Sequence, residues 1–353
     1  MKRIMLVSPF PPYIGGVSVS AQRLYEHLTK EGYEVTRFNT QLENKKLNLK
    51  PLKFLRYLLL PLFLLFHKRY DVIHFHVSKV VPKLYVSLWR PLFARDTKFI
   101  ITIHGQVRNA YKSKLGHKAL KGFDKIICVK KGDRKNMPAE LVSRTVEIPA
   151  FIPPVIEKEY HAVLPLDVER FLSRGNFKML LNGFIILNGP YHDLYGFRDA
   201  LVLLDKLHDR KKVVDLILIL LGKDNTREAA SYLADLKNFV KNRHLEDHVF
   251  WIEETKMELW PLLKRVNVLL RPTKTDGDAL SIRESLFLKI PVITSNAVPR
   301  PAGSLVYKLK SPDDFLNKTI SLMDNYDNYV SSINSAGINM NFAYKIIEQY
   351  ENN

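Results

Sequence analysis

Asp276 and Glu284 stand eight residues apart in Lys274-Thr275-Asp276-Gly277-Asp278-Ala279-Leu280-Ser281-Ile282-Arg283-Glu284. Before them lies the apolar run Val266 to Leu270, and after them Pro291 to Thr294. Ala279, Ile282, Leu286 and Phe287 recur at helical spacing, so the segment reads as strand, polar loop, helix and strand. In an open α/β sheet such a unit carries its loop and helix N-terminus to the carboxyl edge of the strands. Backbone N–H groups and the helix dipole receive anionic ligands there. The two carboxylates then line one crevice, Asp276 from its rim and Glu284 from its wall, about two turns into the helix. The spacing leaves a second reading open, in which Asp276 or Asp278 caps the helix and Glu284 is a solvated helix charge. Asp276-Gly277-Asp278 also has the letters of a divalent-cation clamp, but too few other ligands accompany it, and no metal is expected.

Two further groups have chemical potential. Asp71-Val72-Ile73-His74-Phe75-His76 and Phe99-Ile100-Ile101-Thr102-Ile103-His104-Gly105 read as strands that end in histidine. One such histidine is commonly structural; two at the carboxyl ends of parallel strands converge where α/β sheets bind ligands. Gly15-Gly16 follows the strand Lys2 to Val7 and opens a helix whose buried face is read as Val19, Leu24 and Leu28, closed by Gly32. Bare glycine backbone at a helix start admits a ligand, and it equally serves a tight turn. It is not the Gly-x-Gly-x-x-Gly of a dinucleotide site.

The elements that position these groups alternate strand and helix through the 353 residues, in two successive sets. That pattern predicts an α/β fold with two Rossmann-like, doubly wound domains facing across a cleft. The expected domains are 1–155 and 166–330, with a proline-rich linker near 149–165; by analogy with this architecture the C-terminal helix, 331–353, is expected to cross back to the first domain. Val213 to Leu221 reads as a strand with Gly222-Lys223-Asp224 as its turn. Cys128 is the single cysteine, which excludes an internal disulfide, and it sits in an apolar strand as a small buried hydrophobe.

Charge divides the chain unevenly. Residues 1–160 carry 29 Lys and Arg against 12 Asp and Glu, and the remainder 25 against 24, within a net charge of +18. A basic half suits a nucleic acid, an anionic membrane or an anionic substrate. No nucleic-acid-binding module is recognisable, so no nucleic-acid partner is expected. The apolar run Phe54 to Phe66 is shorter than the about 20 residues that span a bilayer, and Arg56 and Pro61 interrupt it. It reads either as a core helix or as an interfacial helix. Its basic flanks, Lys45, Lys46, Lys50, Lys53, Lys68 and Arg69, would each contribute about 1 kcal/mol at an anionic surface. Membrane-surface docking is the favoured expectation. No signal peptide is evident in Met1 to Phe10, which places the expected protein in the cytoplasm, peripheral at the inner face of the plasma membrane.

Pro272-Thr273, Asp276-Gly277, Ser281, Glu284 and Pro291-Val292-Ile293, together with Gly15-Gly16-Val17, Asp71-Val72-Ile73-His74-x-His76 and Thr102-x-His104-Gly105, resemble the motifs of the retaining family 4 glycosyltransferases of the two-Rossmann-domain (GT-B) type. The resemblance spans nearly the whole chain, in a divergent branch. Asp276 stands where the family usually has Glu, Asp278 where it has an aromatic, and Ile290 where it has Gly.

The resemblance implies that Asp276 contacts the donor sugar and Glu284 the nucleotide ribose. It further implies that Gly222 lies near the base, Gly16 near donor phosphates, and Gly15 and His76 on the acceptor side. His104 would meet the transferred sugar or acceptor, so His104 and Asp276 are the expected catalytic pair. Where the family places an Arg and a Lys on the donor diphosphate, this chain has Phe184 and Tyr195. Arg271, Lys274 and Arg283 are the candidates to replace them, Arg283 first because its fork suits phosphate oxygens. The implied substrates are a nucleotide-sugar donor, UDP- or GDP-linked, and a lipid-linked or glycan acceptor of surface polysaccharide assembly, with no cofactor. The missing Arg and Lys also motivate a rival, a non-catalytic scaffolding relative.

Overall fold

The computed structural model describes residues 2–11, 15–40, 60, 69–77, 90, 96–105, 107–154, 164–187, 193–223, 226–253, 257–276, 279–335 and 341–351. The basic loop 45–53, the apolar run 54–66 apart from Leu60, and Asp224, Gly277 and Asp278 lie outside them. The chain divides into two compact units, Met1–Val155 with Met340–Asn353, and Ile156–Asn339.

The first unit holds a six-stranded sheet: β1 (Arg3–Ser8), β2 (Glu34–Asn39), β3 (Val72–Val77), β4 (Lys98–Ile103), β5 (Lys125–Cys128) and β6 (Thr145–Glu147). All pairs are parallel, in the order β2-β1-β3-β4-β5-β6. Parallel strands covered on both faces must be apolar on both, and Ile4 to Val7 and Phe99 to Ile101 are all buried. Helix α1 (Gly16–Lys30) ends at Gly32, whose φ of +89° is the left-handed conformation that glycine adopts at a helix C-terminus. Its buried face differs from the sequence expectation. Leu24 and Leu28 are buried, but Val19 is only partly so, and Ser18, Ser20 and Arg23 are buried beside the leucines. The cause is a strap of chain: Ser20 Oγ donates to the Ala150 carbonyl (2.7 Å) and Arg23 to that of Ile152 (3.1 Å).

The second unit repeats the plan with β7 (Phe177–Ile185), β8 (Val214–Lys223), β9 (Val249–Glu253), β10 (Val268–Arg271), β11 (Val292–Ser295) and β12 (Leu305–Tyr307). Its longer helices are α2 (Phe197–Asp209), α3 (Arg227–Asn242), α4 (Leu280–Phe287), α5 (Pro312–Asp324) and α6 (Tyr326–Ser335). The parallel order is β12-β11-β10-β7-β8-β9. Gly222 lies within β8 and not in a turn. The β7–β8 ladder shifts register between Gly183 and Phe184 and then continues, pairing Phe184 with Gly222 and Ile185 with Lys223. The unit ends beyond α6, whereas a boundary at residue 330 falls inside that helix. The final helix, α7 (Ala343–Glu351), belongs to the first unit.

Each sheet is a doubly wound, Rossmann-like arrangement with one topological switch point, between β1 and β3 in the first and between β7 and β10 in the second. Ligands of such sheets bind outside the carboxyl ends of the strands at that point.

Candidate functional site

At the second switch point β10 ends in Arg271, which is 8% exposed. Arg271 donates from Nε (3.0 Å) and Nη2 (3.2 Å) to the Asp276 carboxylate, and from Nη1 to the Asn182 carbonyl on β7 (3.2 Å). Arg300, five residues past the end of β11, donates from Nη1 to the same carboxylate (3.1 Å). Its Nη2 donates to Thr273 Oγ1 (2.9 Å) and its Nε to the Ser295 carbonyl (2.8 Å). Thr273 Oγ1 donates in turn to Asp276 (3.2 Å). Burial pushes the Asp276 carboxyl up, but Arg271 and then Arg300 override it and hold the group below the ordinary carboxylate range. Two guanidinium groups on one carboxylate leave this buried cluster with a net positive charge.

Tyr195 completes the corner. The Arg271 guanidinium lies 4.9 Å from the centre of its ring, and the Phe184 ring is 6.1 Å from it. Gly183 is required beneath: a Cβ there would lie 2.5 Å from the Tyr195 ring. Gly196, at φ +74°, would likewise drive a Cβ to 2.7 Å from Pro272. Of the two aromatic residues, Tyr195 therefore has a cation beside it, Arg271 of the neighbouring strand.

Two of the helices that start at this carboxyl edge follow the switch-point strands β7 and β10, and they differ. The N-terminus of α2 is closed by Asp193, whose carboxylate accepts from the N–H groups of Gly196, Phe197 and Arg198 (3.1, 3.1 and 2.9 Å). The N-terminus of α4 begins at Ala279, which has no capping side chain. Glu284 lies on the buried side of α4, 4% exposed, with Ser281, Ile282, Ser285 and Leu286, and Arg283 is half-buried beside it. Lys274 lies past β10, its N–H on the Leu194 carbonyl (3.0 Å). Its side chain lines a cavity of about 730 Å³ with Leu187, Asp193, Arg198 and Tyr232. Gly222 packs near Phe184, 3.3 Å from where a Cβ would sit.

In the first unit His74, His76, Thr102 and His104 share one face of the sheet, since residues two apart point the same way and His76 pairs with Thr102. His76 Nδ1 and His104 Nε2 are 3.1 Å apart, so one donates to the other. Burial, and then His104, push His74 down to about 3, so it is neutral. Its Nδ1 is 2.6 Å from the Tyr350 hydroxyl on α7 and its Nε2 is 2.7 Å from Thr102 Oγ1. Gly15 precedes α1 with extended backbone (φ −171°), and Gly16 is its first residue. Neither needs a glycine conformation, and the Gly15 N–H already donates to Ser18 Oγ (2.9 Å). Among the described residues no group of three or more His, Cys, Asp or Glu is placed to hold a metal ion, and no helix is long and apolar enough to cross a membrane.

The model of Glycosyltransferase Family 4 matches residues 14–152, and that of Glycosyl transferases group 1 matches residues 192–335. The chain belongs to the family 4 glycosyltransferases. A curated relative, an uncharacterized glycosyltransferase of Methanocaldococcus jannaschii, is 21% identical over 348 residues, covering 92% of this chain and 89% of that protein. Among solved structures, a glycosyltransferase from Rickettsia africae superposes with a TM-score of 0.70 at 14% identity, covering 99% of this chain and 98% of that one. Anabaena HepE, solved with UDP and glucose, gives 0.68 at 13% identity and the same coverage. Both share the fold of this glycosyltransferase.

The glycosyltransferase thus brings Arg271 to Asp276 and His76 to His104, as pairs within their units. Sequence reasoning missed Arg300, Ser295 and Asp193, and gave Thr273 a place in the motif but no role. Asp193 had one legible signal, a carboxylate three residues before the Gly196 that opens a helix. Arg300 had none, because nothing in its neighbours marks the residue that reaches back to Asp276.

Proposed function

We propose that this glycosyltransferase moves a sugar, with retention, from a UDP- or GDP-sugar to a lipid-linked or glycan acceptor during surface polysaccharide assembly. It would work at the cytoplasmic face of the membrane, docked through the basic half of the chain. The observation that carries the reading is the contrast at the second switch point. Helix α4 starts at Ala279, which brings no capping side chain, three residues after Asp276 of the net-positive Arg271–Asp276–Arg300 cluster, while Asp193 occupies the amides of α2. A diphosphate leaving group gains charge as the glycosidic bond breaks. Amides and cations fixed in advance stabilise that charge without reorganising.

In this reading Arg283 meets phosphate oxygens, Glu284 holds the ribose, and Asp276 sets the sugar pocket. His104 approaches the reacting ring, and positioning supplies the rest of the acceleration. The HepE complex with UDP and glucose supports a UDP-linked donor. The test is saturation binding and hydrolysis of a panel of UDP- and GDP-sugars beside Glu284→Ala. The expected result is one donor bound tightly with slow nucleotide release. Loss of a buried hydrogen-bonded carboxylate, about 1.5–3 kcal/mol, lowers its affinity by roughly 10- to 150-fold. No binding across the panel by the folded protein overturns the reading.

A further inference from the structure

Tyr350 is 276 residues beyond His74 in sequence, yet its hydroxyl is 2.6 Å from that imidazole, and the residue is 2% exposed. Its helix is held on both sides of the contact. Ala343 and Ile346 are buried, and Lys2 Nζ donates to the Tyr350 carbonyl (3.0 Å) and to the Glu351 carboxylate, which also accepts from the Tyr33 hydroxyl (3.2 Å). The phenol is therefore presented from a fixed backbone. Neutral His74 carries one N–H, so one nitrogen donates and the other accepts. The Tyr350 and Thr102 hydroxyls take the complementary roles, and together they satisfy both ring nitrogens and hold the ring plane. The His74 ring lies 4.3 Å, centre to centre, from that of His76, and the His76 ring lies 5.4 Å from that of His104, with the nitrogens hydrogen-bonded. Five side chains from three elements thus form one continuous buried array that ends at the half-buried His104.

We infer that Tyr350 is a positioning residue for His104: it locks His74, His74 backs the ring of His76, and His76 orients the imidazole at the end of β4. The inference rests on the reading that His104 works on the reacting sugar or acceptor. It gives the chain's last helix a share in the chemistry beyond covering the sheet. A hydroxyl is the group that matters, because an aromatic ring without it would pack equally well and leave a buried His74 nitrogen without its partner, so that the ring is no longer held in place.

The test begins without substrate. Imidazole nitrogen resonances of the ¹⁵N-histidine-labelled full chain are compared with those of Tyr350→Phe and of Thr102→Val, which removes the partner of the other His74 nitrogen. Both variants are expected to shift the signals of His76 and His104 as well as His74. Signals of His76 and His104 that stay in place in both variants overturn the inference, whatever happens to activity. Turnover is then followed as UDP or GDP released from the panel's best nucleotide-sugar. Tyr350→Phe is expected to lower kcat about tenfold with donor KM within twofold, and to cause no further loss in a His104→Ala background. Tyr33→Phe, which trims a hydroxyl on the same helix contact but not on the array, keeps kcat within twofold. Losses from Tyr350→Phe and His104→Ala that simply multiply overturn the inference. Full activity of His104→Ala with the spectral coupling present instead overturns the role given to His104.

Discussion

Asp276→Asn separates two uses of the same carboxylate. The side chain is about a tenth exposed and serves as the counter-ion of Arg271 and Arg300, whose side chains are 9% and 3% exposed. The amide keeps the shape and one acceptor oxygen, but it removes the carboxylate charge that both buried guanidinium groups face. Removing one partner of a buried ion pair costs about 3–5 kcal/mol, and the retained oxygen favours the lower end. For a unit of this size about 3 kcal/mol lowers Tm by roughly 6–12 °C.

Acid tests the same term. The folded-state pKa of Asp276 is depressed, so its contribution is complete above the unfolded value of about 3.9 and is lost as pH falls through the folded value. Wild-type stability therefore declines below about pH 4, and Asp276→Asn lacks that part of the decline. Thermal unfolding by circular dichroism at pH 7 and between pH 5 and 3 measures both. A shift under about 2 °C and an unchanged acid limb would refute the reasoning. If donor affinity nonetheless vanished, the carboxylate would be a sugar ligand and not a structural counter-ion.

Gly183→Ala drives a methyl into the Tyr195 ring at 2.5 Å and is expected to cost about 1–3 kcal/mol, read by urea unfolding. Tyr195→Lys restores the residue type the family usually carries but sets an ammonium beside Arg271 and discards the ring under it. It is expected to lower stability by about 1–2 kcal/mol and not to raise donor affinity. The Cys128 thiol is fully buried, and burial, with Asp133 and Glu147 nearby, pushes it up to about 12. It should resist a thiol-titrating disulfide reagent at pH 8 in the native protein and react only after denaturation, a difference visible by absorbance.

The alternation of strands and helices was legible because each buried strand is a short apolar run and each helix repeats its apolar residues at helical spacing. Local patterns of that kind fixed both sheets in outline, the helix that carries Glu284, and the strands that end at His76 and His104. Family membership was legible too, since Asp276-Gly277, Ser281, Glu284 and His104-Gly105 survive as short motifs. The tertiary structure decided what those residues touch. Arg300 reaches Asp276 from 24 residues away and Tyr350 reaches His74 from 276 away. Asp193 takes the amides that open α2, and Arg271 comes from the neighbouring strand to the Asn182 carbonyl of β7 and to the ring of Tyr195. Periodicity records only which face of its own element a residue occupies. Which charges meet depends on how strands are ordered in the sheet and where loops cross its edge, and packing sets that for the domain as a whole.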